Sequence, residues 1–186
     1  MARGNAPFNV ALTSRLHELY PQPARILEVG CGPGVGLRAL LEVYPSAQVV
    51  GVDLSPQMLD QSRARNRQPI RDGRLELREG DVSEFTEQAD LILAVHVLYF
   101  WHAPDSVLRN IRGLLASGGV LALGYRRREA MPPPARRDFP KEGHLLYDSE
   151  RDVADLLTAA GFDRVESHLI VSKGSGLGWL TLGYAP

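Results

Sequence analysis

Residues 25–36, Arg-Ile-Leu-Glu-Val-Gly-Cys-Gly-Pro-Gly-Val-Gly, constrain this chain more than any other stretch. A short apolar run ends abruptly in alternating glycines. The run has the length and character of a buried strand. Glycines at 30, 32, 34 and 36 let the backbone turn sharply and let a ligand lie against the main chain. From Gly34 the period becomes helical, with Leu37, Leu40, Leu41 and Tyr44 on one face and Pro45 as a stop. A strand, a tight turn and a helix in that order predict the first unit of an open, helix-covered parallel sheet.

The rest of the chain keeps this rhythm. Strands are expected at Gln48 to Val52, closed by Asp53, at Leu75 to Arg78, at Ala89 to Val95 and at Val120 to Tyr125. Helices are expected from Ser55-Pro56, where serine caps and proline takes the first helical position, and from Pro104-Asp105. Leu12, Leu16 and Leu19 predict an N-terminal helical cap within residues 1–22. Residues 126–147 hold three consecutive prolines and no clear period, and are expected to form a loop or lid. Ser149 and Asp152 form a capping box, and Gly161 suits the end of the helix it opens. Arg164 to Val171 and Gly178 to Tyr184 read as an antiparallel pair joined by a turn at 173–178. All 186 residues are expected to form one α/β domain.

Ligands of such sheets bind at the carboxyl ends of the strands, so the residues just after each strand are the candidates for chemistry. A dinucleotide turn, G-x-G-x-x-G, is the obvious rival, and its spacing fails here: Val35 and Leu37 stand where the last glycine belongs. Glu28 also argues against a pyrophosphate, which its carboxylate would repel. It would welcome a ligand carrying an ammonium group, and S-adenosylmethionine (SAM) carries an ammonium as well as a sulfonium. Asp53 ends the second strand, where an acid accepts from ribose hydroxyls. Asp81 follows the third strand and is placed to accept from an adenine amine. Leu54 and Met58 are candidates to pack on the adenine face.

Composition narrows the classes. A net charge of −1 gives no general footprint for nucleic acid. Cys31 is the only cysteine, which excludes an internal disulfide and a zinc cluster, and no metal site is expected. No apolar stretch is long enough to span a bilayer, no secretory leader is recognisable, and a cytoplasmic address is the simplest.

Four segments together resemble the successive motifs of class I SAM-dependent methyltransferases. They are Ile26 to Gly34, Val50 to Leu59, Glu79 to Val82 and Leu114 to Gly119. The likeness is to the small-molecule branch that includes the ubiquinone and menaquinone biosynthesis enzymes. It implies a doubly wound, Rossmann-like sheet of seven strands in the order 3-2-1-4-5-7-6, with the seventh antiparallel. It also implies that Glu28, Gly30, Cys31, Gly32 and Gly34 hold the methionine part of SAM, Asp53 the ribose, and Leu54, Asp81 and Val82 the adenine. The implied activity is methyl transfer to a small-molecule acceptor, by in-line displacement at the sulfonium. A non-catalytic SAM-binding accessory protein and an NAD-dependent oxidoreductase are the alternatives.

The chain departs from that branch after the fourth strand. Where a His-His pair is common, it has Tyr99-Phe100-Trp101-His102, so a quinone-type acceptor does not carry over. His96, Tyr99 and His102 are the candidate catalytic groups, should the acceptor have to lose a proton. Arg126, Arg127, Arg128, Arg136 and Arg137 flank the prolines. They suit either a solvated loop or a lid that greets an anionic acceptor.

Overall fold

The structure, a computed structural model, describes residues 2–172 and 176–186, with backbone alone at 2–4 and 176. In chain order the elements are α1 (Ala2–Leu19), β1 (Arg25–Val29), α2 (Val35–Val43), β2 (Gln48–Asp53), α3 (Pro56–Arg65), α4 (Arg67–Arg71), β3 (Leu75–Glu79), β4 (Ala89–Val95), α5 (Pro104–Leu114), β5 (Leu115–Tyr125), α6 (Pro133–Asp138), α7 (Glu150–Ala159), β6 (Arg164–Ser172) and β7 (Gly176–Tyr184). The strands form one sheet in the order β3-β2-β1-β4-β5-β7-β6. The first five are mutually parallel, and β7 runs antiparallel to both of its neighbours. This is the doubly wound α/β fold expected from the motifs.

Alternating side chains of the central strands enter two cores, one on each face of the sheet. Ile26, Val49, Leu91, Leu93, Val120 and Leu180 pack with Phe8, Leu12 and Leu16 of α1 and with Leu37 and Leu40 of α2. Leu27, Val50, Ile92, Leu121 and Leu123 pack with Leu108 and Ile111 of α5 and Val153 and Leu157 of α7. A strand buried on both faces is apolar at nearly every position, which is why β4 reads as an apolar run broken only by Asp90. Burying each large side chain of α1 contributes roughly 1.5–3 kcal/mol, and this fastens the N-terminal helix over the sheet.

Local chemistry sets the helix ends. The Ser55 hydroxyl accepts from the Met58 amide at 3.3 Å, with Pro56 in the first turn of α3. Ser149 and Asp152 form the reciprocal capping box of α7, and Gly161 takes a φ of +90° just beyond that helix.

Besides α4, which no pattern announced, three features differ from the sequence reading. β5 begins at Leu115 rather than Val120, because a register shift against β4 between Ala89 and Leu91 absorbs the Ser117–Gly119 break. The last hairpin is longer than expected, since Ser172 already pairs with Gly176; residues 173–175 of its turn lie outside the described residues. The segment 126–147 is not irregular throughout. Pro133 and Pro134 open α6, since the fixed φ of proline suits a first helical turn, and short 3-10 turns occupy Arg128–Ala130 and Phe139–Glu142.

Candidate active site

A cavity of about 550 Å3 opens at the carboxyl edge of the sheet. Val29 and Gly30 border it after β1, Asp53 and Leu54 after β2, Gly80, Asp81 and Val82 after β3, and Val97 after β4. Phe100, Trp101, His102 and Val107 close its far side. Beside it a smaller cavity of about 100 Å3 is lined by Glu28, Gly30, Cys31, Gly32, Val95 and His96, together with Asn5 and Asn9 of α1. Gly30 is common to both.

The turn after β1 is built from glycines with positive φ at 30, 32 and 34. Gly34 is fixed on two counts. Its φ is +75°, and a Cβ there would stand 2.3 Å from Ser62 Oγ and 2.5 Å from Asn66 Nδ2. Asn66 in turn donates to the Gly34 carbonyl at 3.1 Å. Gly34 therefore serves the packing of α3 on the start of α2 and borders neither cavity. Asp53 ties the same turn to β2: its Oδ2 accepts from the Gly32 amide at 2.8 Å, and its Oδ1 from the Ser55 amide at 2.9 Å.

Glu28 is 3% exposed. Its carboxyl group lies against the first turn of α2, where a Cβ on Gly36 would fall 2.1 Å from Oε1. Its Oε2 has no hydrogen-bond partner. Burial, with Asp53 as a lesser influence, pushes its pKa up to about 8. Cys31 is buried too, and burial followed by Glu28 and Asp53 raises its thiol pKa. A thiol held protonated is packing rather than a nucleophile.

The remaining expected cofactor residues divide. Leu54 is 69% exposed at the mouth of the larger cavity. Asp81 caps a 3-10 turn by accepting from the Ser83 amide at 2.9 Å, and Val82 is buried behind it. Met58, on α3, borders neither cavity.

After β4 the chain turns sharply at His96, whose φ of +59° is unusual for a residue with a side chain. Its amide donates to the Gly124 carbonyl at 2.7 Å, and its ring stacks on Phe8 at 5.1 Å. The Tyr99 hydroxyl accepts from the Arg126 amide at 2.6 Å and donates its one proton to the Arg126 carbonyl at 3.1 Å. His96 Nδ1, 3.4 Å from the same oxygen, must then be the donor of that pair. The assignment leaves Nε2 as a bare acceptor, and Nε2 is buried without a partner. Burial, with Arg126 as the lesser influence, lowers the His96 pKa to about 4.

Of the three candidate catalytic groups, His102 is exposed and borders the larger cavity. Tyr99 is buried in the core, its hydroxyl committed to the Arg126 backbone and its pKa raised chiefly by burial.

Segment 126–147 lies against the cavity wall. The Leu145 amide donates to the Tyr99 carbonyl at 2.9 Å, and the Arg128 amide to the Tyr147 carbonyl at 2.8 Å. Phe139 and His144 pack on Phe100 at 5.4 and 4.7 Å. Several of its arginines meet acids locally: Arg127 pairs with Glu129 and Glu150, Arg128 with Asp148, and Arg137 with Asp138. Sequence reasoning missed Asn5 and Asn9. The signal was two asparagines one helical turn apart beside the apolar stripe of Phe8, Leu12 and Leu16.

No helix among the described residues is long and apolar enough to cross a membrane, and no group of three or more potential metal-ligating side chains occurs among them. Residues 27–121 match a family model described as a methyltransferase domain. The chain is 37% identical over 133 residues to a trans-aconitate 2-methyltransferase of Methylobacterium radiotolerans, covering 63% of this chain and 49% of the relative. It is 32% identical over 198 residues to a trans-aconitate 2-methyltransferase of Streptomyces coelicolor, covering 91% and 62%. A solved structure described as PigF with SAH superposes with a TM-score of 0.79 at 22% identity, over 98% of this chain and 56% of that one. The chain thus spans about half the length of the curated relatives it matches.

Proposed function

The chain belongs to the methyltransferase domain family, and from that premise we propose that it transfers a methyl group from SAM to a small, anionic acceptor. The observation that carries this reading is the larger cavity, where the ends of β1, β2, β3 and β4 deliver Gly30, Asp53, Asp81 and Val97 to one space. A buried acid with an unpartnered oxygen, Glu28, stands in the adjoining cavity. That donor set fits a ligand with a cationic amine at one end and a nucleoside at the other. Glu28 and the Gly30–Gly32 part of the turn would hold the amino-acid end, Asp53 the ribose, and Leu54, Asp81 and Val82 the adenine.

Bound there, SAM supplies a methyl group already activated on a sulfonium. The chain's own task is to align the acceptor and to keep water out, and alignment alone is worth up to about 7–11 kcal/mol in favourable cases. Phe100 and Trp101 provide the apolar wall. Segment 126–147, packed on Phe100 through Phe139 and His144, serves as the cover.

The anionic acceptor rests on two supports. The relatives' names specify a carboxylate, trans-aconitate, and Arg126 sits beside His96, over the Phe8 ring. A carboxylate arrives without a proton to lose, so no base is required. His102, on the cavity wall, is the group we assign to proton removal should the acceptor be protonated. The test is incubation with methyl-labelled SAM and a panel of small carboxylates that includes trans-aconitate. Labelled ester with equimolar S-adenosylhomocysteine (SAH) supports the reading. SAM binding with no turnover on any acceptor class would reassign the chain as a binding protein.

A further inference from the structure

We infer that the N-terminal helix is part of the cofactor site: Asn9 of α1, together with Glu28 and His96, forms a cage of three acceptors for the α-ammonium of SAM. The inference rests on reading the cleft as a SAM site and adds residues to it that lie outside the strand-end motifs.

The argument starts from unmet hydrogen bonds. Asn9 is 7% exposed and Glu28 3% exposed. Asn9 Oδ1, Glu28 Oε2 and His96 Nε2 are each buried without a partner. Buried polar atoms nearly always find one, and leaving one unmet is costly. Here three such residues line a single cavity of about 100 Å3.

The three atoms are chemically alike. An amide oxygen and a carboxyl oxygen accept. The His96 nitrogen accepts as well, because Tyr99 spends its only proton on Arg126 and so fixes the Nδ1–H tautomer. A ligand group matching three acceptors must bring several donors, and an ammonium brings three in a compact head. A carboxylate or phosphate brings none.

The surroundings hold this set in place. Phe8, the residue before Asn9, is fully buried and stacks on the His96 ring. The strained backbone at His96 is the kind of feature that persists where function requires it. His96 is thereby a binding residue rather than the base of the reaction.

The test compares two probes by calorimetry: SAH, which carries the ammonium, and 5′-methylthioadenosine, which lacks the amino-acid end. Wild type should bind SAH more tightly. Asn9→Ala should weaken SAH by about tenfold or more, as loss of a hydrogen bond to a charged group does, and leave methylthioadenosine within about twofold. His96→Ala should give the same split. Unchanged methylthioadenosine binding also shows that each variant is folded. Equal loss of both probes, or loss of neither, overturns the cage. If wild type binds neither probe, the reading of the cleft as a SAM site fails instead.

Discussion

The carboxylate of Asp53, at the end of β2, holds the amide of Gly32, in the turn after the neighbouring β1, at 2.8 Å. The residue we propose for the ribose is thus also the brace of the glycine turn after β1. Asp53→Ala should weaken SAH by at least about tenfold, since hydrogen bonds to charged groups contribute roughly 1.5–3 kcal/mol each. Unlike Asn9→Ala, it should also weaken methylthioadenosine, which retains the ribose. Calorimetry that finds SAH affinity unchanged would remove Asp53 from the site.

Glu28 should make the ligand-free protein less stable as pH rises. Its folded pKa, about 8, lies above its ordinary value of 4.5. The stability it contributes is therefore full below 4.5 and is lost as pH rises through about 8. Glu28→Gln stays neutral, so its melting temperature should fall less across that window. The same variant should bind SAH more weakly. Parallel melting curves for the two proteins across the window would refute the assigned burial.

His96 acts in the opposite direction. Its folded pKa, about 4, lies below 6.5, so its contribution is present above pH 6.5 and is lost as pH falls through about 4. An NMR titration of the imidazole should show no protonation near neutrality. The pH–rate profile should have no limb there that His96→Ala removes. A midpoint near 6.5 would contradict the enclosure of the ring.

Gly34→Ala should destabilise the fold by about 1–3 kcal/mol, because the residue combines a left-handed backbone with contact against Ser62 and Asn66. Thermal unfolding measures this directly. Gly32→Ala also falls at a positive φ, +52°, but has open space for the new methyl, and should cost less.

Tyr99→Phe deletes the oxygen that both donates to and accepts from the Arg126 backbone. Segment 126–147 should then be cut faster by protease, while methylthioadenosine affinity stays near wild type. Unchanged cleavage would show that the segment is held by other contacts, such as the Leu145–Tyr99 backbone bond.

Most of the sheet was legible because its strands are short, apolar and punctuated by glycine, proline or an acid. β1 and β4 fall on the residues that pattern picks out, and the caps at Ser55 and Ser149 act as their side chains suggest. α4 was not legible: five residues that include Pro69 and bury no side chain carry no periodic signal. α6 was obscured by its prolines, which read as a stiff loop and instead start a helix. At the site, the acids after the strands announced themselves by register. Asn9 did not, because it reaches the smaller cavity only through the packing of α1 on α2 and β6, contacts that no local pattern encodes. Met58 was placed by its neighbours in sequence, but α3 does not bring it to either cavity.

The backbone bond between Arg128 and Tyr147 gives segment 126–147 the topology of a handle: its two ends meet, so the path between them can change without moving β5 or α7. On the proposed reading, lengthening, shortening or exchanging residues 129–146 would alter what covers the acceptor space, while the strand ends that line the larger cavity lie outside that stretch. Acceptor choice would then be rewritten as a cassette, by grafting one closed excursion in place of another onto an unchanged donor platform.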